Sequence, residues 1–488
     1  MKARFPRRLS LIALILTNIA ILGNVNNWPI FGSSGILSLF FFLLAGLFFF
    51  IPSILVTAEL ASTWHQEGGL YMWVKKAFGH RAAFTAAWLI WLQAMFWFPL
   101  PLVILASSSA LLFHSSWGNH TFYQLIFVLV LLWITTFVFF QGIRVHSRIN
   151  AFGALFGILL MGVLTITFGI IWILKGYPLA FTFSFDGFMR DIGNVKNWSI
   201  LSGIMTTVVG IEMSAFHAPS VKNPQKNYPR AAFISSPISY TLAFFGTLAI
   251  LSVVGQSSIS LFQNDVDVLQ IFFNSFPIPG LFPFALVLFI IGLYVEMNAW
   301  YAAPIKGILA IANHGDLPPV FRHTNSRGMP TTLMILQALI VSVLSILYIL
   351  FPNVNYIYWI FIAFVIMLYL IVYLIIFAAV IKLRYSNPHV NRPYQIPGGK
   401  IGIWLIAGLG FTTSLAIFIL SFLLPEYVLN FSSLIYFPWF VLGLSLFCLL
   451  PQFILLFKKA SWKSELVEEI ETQVTFQACK LRQESGGL

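Results

Sequence analysis

Gly23-Asn24-Val25-Asn26-Asn27-Trp28-Pro29 interrupts the first apolar run of the chain. Three asparagines, a glycine and a proline in seven residues make a poor lipid-facing helix. Pro29 removes a backbone donor, and its ring clashes with the preceding turn. A second interruption, Val209-Gly210-Ile211-Glu212-Met213-Ser214, sets a glycine and a carboxylate in the middle of another apolar run. Either alone is an ordinary kink packed against its neighbours. What the pair means depends on the runs around them.

Those runs dominate the sequence. The chain has 488 residues, 59% hydrophobic and 9% charged, whereas soluble domains carry about 25% charged residues. So apolar a chain cannot clothe itself in polar surface, so its solvent is lipid. A helix needs roughly 20 apolar residues to cross the hydrocarbon core. Twelve runs qualify: 9–31, 36–60, 82–113, 122–141, 150–174, 197–217, 231–254, 281–312, 332–350, 357–381, 401–424 and 431–457. They are too long and too uniformly apolar for barrel strands. The expected fold is all-α integral membrane, with twelve transmembrane helices. The basic stretch Met1 to Arg8 ahead of the first run resembles a signal peptide. That run continues too far, and we expect it to be retained as the first span.

Net charge is +12. The basic residues lie between the apolar runs, where the positive-inside rule explains them better than nucleic-acid binding does. With the N-terminus in the cytoplasm, all 27 Lys and Arg except Lys175, Arg190 and Lys196 fall on that side. Both termini are then cytoplasmic, with an N-tail of 1–8 and a C-tail of 458–488. The first five spans begin inside and the next five begin outside. This gives a ten-helix core over 9–381, made of repeats 9–174 and 197–381, with two further helices in 401–457. The two interruptions fall in the first span of each repeat. Inverted-repeat transporters hold solutes where such broken helices meet. The amide and carbonyl ends so exposed suit the carboxylate and ammonium of an amino acid.

Glu212 and Glu296 lie mid-span, where a carboxylate is costly unless paired, hydrated or protonated. Both are candidates for coupling to protons; the alternative is a neutral glutamate bridging helices. Glu59, near a span end, reads as a structural charge that snorkels to the surface. His217 reads as a packing residue and Lys306 as a gate or topology charge. Tyr369 and Tyr373 are four apart, on one helix face, so they line one cavity or pack between helices. Cys448 and Cys479 suggest neither a disulfide nor a metal site. No CxxC, HExxH, GxSxG or phosphate-loop pattern occurs. We therefore expect no cofactor, no metal and no enzyme.

Five groups of segments, taken in order, resemble the amino acid–polyamine–organocation transporters, and within them the bacterial glutamate/γ-aminobutyrate antiporter branch. They are Phe50-Ile51-Pro52 with Thr57 to Ala61; Glu67 to Val74 with Ala77-Phe78-Gly79; Gly210-Ile211-Glu212 with Asn223 to Arg230; Glu296 to Trp300 with Asn313 to Pro318; and Arg392 to Gly399. The likeness runs from about residue 9 to about residue 457. It implies a LeuT-type fold of 5+5 inverted repeats plus two C-terminal helices in a bacterial inner membrane. The implied function is amino-acid or amine antiport; alternatives are proton-coupled symport and a transporter-like sensor. By matching position, Asn26, Asn27, Gly210, Ile211, Glu212, Trp300, Tyr369 and Tyr373 would bind substrate. The partners are a small amino acid or amine and the lipid bilayer, with no nucleic acid; a homodimer is compatible with the sequence.

Three features depart from the resemblance. The first break lacks the glycine–serine–glycine pattern, 150–174 contains no lysine, and the C-tail is shorter than the antiporters' plug. Within that tail, Leu466, Ile470 and Val474 give 462–482 one narrow apolar stripe, which predicts a short amphipathic helix.

Overall fold

The computed structural model describes residues 9–32, 35–66, 68–113, 115–181, 183–254, 265–351, 354–422 and 433–462. The amphipathic helix expected over 462–482 lies outside them, apart from its first residue. Among the described residues there is no β-strand, only an isolated parallel bridge between Leu9 and Val221.

In chain order the helices are α1 (Leu11–Leu22), α2 (Asn27–Gly32), α3 (Ile36–Thr63), α4 (Leu70–Phe78), α5 (His80–Phe113), α6 (Thr121–Phe139), α7 (Ile143–Leu174), α8 (Phe185–Gly193), α9 (Ser199–Val208), α10 (Pro224–Val253), α11 (Asp265–Asn274), α12 (Leu281–Asn313), α13 (Thr331–Leu350), α14 (Val354–Ser386), α15 (Gly399–Leu420) and α16 (Ser433–Leu456). Among the described residues, ten segments are long and apolar enough to cross a membrane; α9 counts as one of them together with the turns that follow it. α1 falls short because the first break cuts its run in two.

Both breaks are chemically local. Ser10 caps α1, its hydroxyl accepting from the Ala13 amide. The helix stops at Leu22, and Asn24 adopts φ 26°, a backbone region that asparagine tolerates better than most residues. The Asn27 amide then donates to the Asn24 carbonyl at 3.0 Å, and α2 begins. In the second break α9 ends at Val208 and Gly210 takes φ 115°. A Cβ there would lie 2.8 Å from the Trp300 ring, so both conformation and space demand glycine. The chain resumes as 3-10 turns over Ile211–Ser220.

α1 packs against α10, α7 and α12, and α14 against α5 and α15. Small residues let backbones approach where helices cross. A Cβ on Gly157 of α7 would lie 2.2 Å from the Gly292 amide nitrogen of α12. Large apolar side chains such as Ile134, Leu347 and Leu449 are exposed, as lipid-facing surfaces require.

Glu59 does not snorkel. At the end of α3 it is 1% exposed and accepts from Arg384 Nε at 3.1 Å, Arg384 Nη2 at 2.5 Å and the Ile396 amide at 2.8 Å. Arg392 Nε lies 3.3 Å from its other oxygen. Those arginines satisfy the carboxylate inside the protein, which removes the reason to reach for water.

Candidate functional site

The two breaks meet. Trp300 of α12 donates its indole N–H to the Ile21 carbonyl, in the last turn of α1, at 3.0 Å. Tyr373 of α14 accepts from the Gly210 amide at 3.1 Å. Side chains from α12 and α14 thus stand in for helix hydrogen bonds that the breaks remove. The Glu212 carboxylate accepts from the hydroxyls of both Tyr369 and Tyr373 and is fully buried. Tyr228 of α10 donates to the Ile211 carbonyl at 3.0 Å.

Beside this junction lies a small cavity with about 20 Å³ of free space. Its aromatic wall is Trp97, Trp300 and Tyr369, with ring centroids 5.7 Å apart for the tryptophans and 5.9 Å for Trp300 and Tyr369. Its polar lining includes Asn24, Gln93 and Glu296, all buried. Asn24 Nδ2, Gln93 Nε2 and Glu296 Oε2 have no hydrogen-bond partner among the described residues. Buried polar groups in native proteins are nearly always bonded. Three unsatisfied groups around one cavity therefore point to a polar ligand. Two amide donors, one carboxyl and three ring faces match a small molecule that carries an ammonium and a hydrogen-bond acceptor, because aromatic faces also attract cations.

Of the residues singled out in the sequence, Glu296, Trp300 and Tyr369 line this cavity, and Gly210 abuts Trp300. Glu212 stands behind the two tyrosines, bonded to α14 rather than to the first break. Ile211 engages Tyr228 through its carbonyl. Asn27 Nδ2 donates to Thr206 Oγ1 at 2.9 Å and Thr207 Oγ1 at 3.2 Å, and Asn26 Nδ2 donates to Asn27 Oδ1 at 3.1 Å. This pair staples α2 to α9. The asparagine of the break that lines the cavity is Asn24. Sequence reasoning also missed Gln93 and Trp97. A scan for polar residues inside apolar runs would have flagged Gln93; Trp97 carries no such signal.

Broken helices meeting beside a buried aromatic cavity, in a multi-pass membrane bundle, define a solute transporter. The family profile described as amino acid permease matches residues 7–447, and the chain belongs to that family. It is a transporter of amino acids or amines, not an enzyme. It is 36% identical over 443 residues to an uncharacterised transporter of Legionella pneumophila, covering 91% of this chain and 95% of that one. It is 26% identical over 425 residues to a glutamate/γ-aminobutyrate antiporter of Lactococcus lactis, covering 86% and 84%. A probable agmatine/putrescine antiporter of the same species is 26% identical over 361 residues, covering 72% and 74%.

Proposed function

We propose that this protein is an antiporter exchanging an amino acid for an amino-acid-derived amine across a bacterial inner membrane. Its core would be a LeuT-type pair of inverted repeats, 9–174 and 197–381, with 401–457 appended and both termini in the cytoplasm. The observation that carries this reading is the cavity at the breaks, with one polar atom each of Asn24, Gln93 and Glu296 left without a partner among the described residues. The antiporter names of two relatives support exchange. The substrate ammonium lies between Glu296 and the faces of Trp97, Trp300 and Tyr369. Its acceptor group takes the amides of Asn24 and Gln93. Release of Tyr373 from the Gly210 amide would expose a backbone donor to the substrate and free Glu212 to change protonation. Asn26, Asn27 and Ile211 serve by holding the broken segments in place.

Counterflow in proteoliposomes tests the proposal, with labelled glutamate, γ-aminobutyrate, agmatine and putrescine as probes. Exchange of at least one probe is expected. Glu296→Gln should weaken its apparent affinity about tenfold or more, since charged hydrogen bonds contribute about 1.5–3 kcal/mol. Wild-type protein that exchanges none of the four, or Glu296→Gln protein with unaltered affinity, would refute it. Proton-coupled symport is the second reading, favoured by two buried carboxyls at the site; uptake driven by a pH gradient into vesicles free of internal substrate distinguishes it.

A further inference from the structure

Away from the cavity, His146 and Asn150 on α7 and Asn298 on α12 close a buried ring of contacts. Asn298 Nδ2 lies 3.1 Å from His146 Nδ1, Asn150 Nδ2 lies 3.2 Å from His146 Nε2, and the two amides bond each other. His146 is 3% exposed and both asparagines 0%. The orientation of an amide, and the tautomer of a histidine, follow from the network they must satisfy. Here the ring constrains both. Because the amides bond nitrogen to oxygen, they present the same atom type to the two nitrogens of the imidazole. Either both show it N–H groups or both show it carbonyl oxygens. A neutral imidazole has one N–H and one lone pair, so it satisfies neither arrangement. Two carbonyls match an imidazolium, which donates from both nitrogens. The ring is complete only when His146 holds a second proton.

The surroundings keep that proton from being permanent. The His217 ring lies 5.9 Å from His146, and Lys306 Nζ lies 2.9 Å from His217 Nδ1. Lys306 and His217 are the charged and titratable groups that face His146 from α12 and the 3-10 turns. α1, packed against this end of α7, contains none, and α6 contributes only Tyr123, at its far end. The Phe139 ring of α6 covers the imidazole at 4.7 Å. Burial and the ammonium oppose a second cation here, while an amide carbonyl turned to the ring favours it. Asn298 is two residues from Glu296, which lines the cavity. Any shift of this part of α12 on substrate binding would move both.

We propose that His146 is a proton-binding site coupled to the transport cavity. Asn150 and Asn298 turn their carbonyls to the imidazolium, and Lys306 with His217 sets the opposing charge. The proton comes from water and returns to water; no other bond forms or breaks. The coupling rests on the transport reading above, whereas the proton site does not.

The test is nitrogen NMR of full-length, ¹⁵N-histidine-labelled protein in lipid, titrated from about pH 8 to about pH 5, the range in which imidazoles ordinarily change charge. His146→Gln assigns the signal. Both ring nitrogens of His146 should become protonated within the titration. Asn298→Asp, which replaces an amide with a carboxylate, should move the midpoint up by about 1–3 units and gives a second assignment should His146→Gln not fold. In proteoliposomes, His146→Gln should flatten the pH dependence of exchange of whichever probe the wild type carries. A His146 ring with one bare nitrogen throughout, no shift in Asn298→Asp, or an unchanged pH profile in His146→Gln would overturn the proposal. Wild-type protein that moves no probe would overturn the function above, and the spectra would still decide the proton site.

Discussion

Replacing Glu59 by glutamine should destabilise the protein by about 3–5 kcal/mol. That is the scale measured when one partner of a buried ion pair is removed and the other charge stays buried. The structure supplies the reasons. The carboxylate is 1% exposed and receives two bonds from Arg384, one from the Ile396 amide and the ionic contact of Arg392. Glutamine keeps one acceptor oxygen but turns an N–H₂ group toward those donors and leaves two guanidinium groups without a counter-charge. At about 1.4 kcal/mol per tenfold, the folded-to-unfolded ratio falls roughly 10²- to 10⁴-fold. Glu59→Leu combined with Arg384→Met should recover part of the loss. Arg392 keeps the carbonyls of Leu383, Asn387 and Val390 and the face of Trp64. The remaining defect is the orphaned Ile396 amide, worth about 1–3 kcal/mol. Denaturant unfolding in nanodiscs, followed by tryptophan fluorescence, measures both variants. A single variant within about 0.5 kcal/mol of wild type, or a double variant no more stable than the single, would refute the reasoning.

His314, just past the end of α12, is held below its ordinary pKa mainly by burial. As pH falls through the ordinary value of about 6.5, the unfolded chain takes up a proton that the folded chain refuses, so stability should fall with acidification. His314→Phe should flatten that slope in melts from pH 8 down to about pH 5, and an unchanged slope would count against it. Gly157→Ala should cost about 1–3 kcal/mol by overpacking, because its Cβ would lie 2.2 Å from the Gly292 nitrogen; alanine at Gly408, where a Cβ meets nothing within 4 Å, is the control, and equal melting of the two would contradict the close crossing.

The parts of this fold legible in sequence were those whose chemistry is local. Gly23 to Pro29 and Val209 to Ser214 announce broken helices through residues that cannot continue one, and both helices break there. What sequence does not contain is the angle at which a helix face meets its neighbours. Asn24, Asn26 and Asn27 look interchangeable in a string. In space Asn24 lines the cavity, Asn27 bonds to α9, and Asn26 bonds to Asn27. Tyr369 and Tyr373 did share a face, as their spacing implied, but that face meets Glu212, which no periodicity could reveal. Glu59 was misread because its partners lie more than 300 residues along the chain, and hydropathy near a span end is blind to pairing across such distances.

The hydrogen bonds at the two breaks also bear on how the site could move. In an unbroken helix the Ile21 carbonyl and the Gly210 amide would bond within the backbone and could be freed only by unwinding. Here the Ile21 carbonyl is held by Trp300 and the Gly210 amide by Tyr373, with the Glu212 carboxylate also beside that amide. A neutral bond of this kind contributes only about 0.5–1.5 kcal/mol net. Two such bonds are weak enough for a ligand to displace, yet leaving either group unpaired and buried costs about 1–3 kcal/mol. The closed arrangement is therefore held until something replaces its partners. In the proposed mechanism the substrate's own polar groups are that replacement, so occupancy of the cavity and rearrangement of the breaks become one event. The same tyrosine that covers the Gly210 amide also donates to Glu212. Its departure would withdraw one of the two hydroxyls that hold the carboxylate and tie the protonation of Glu212 to the state of the break.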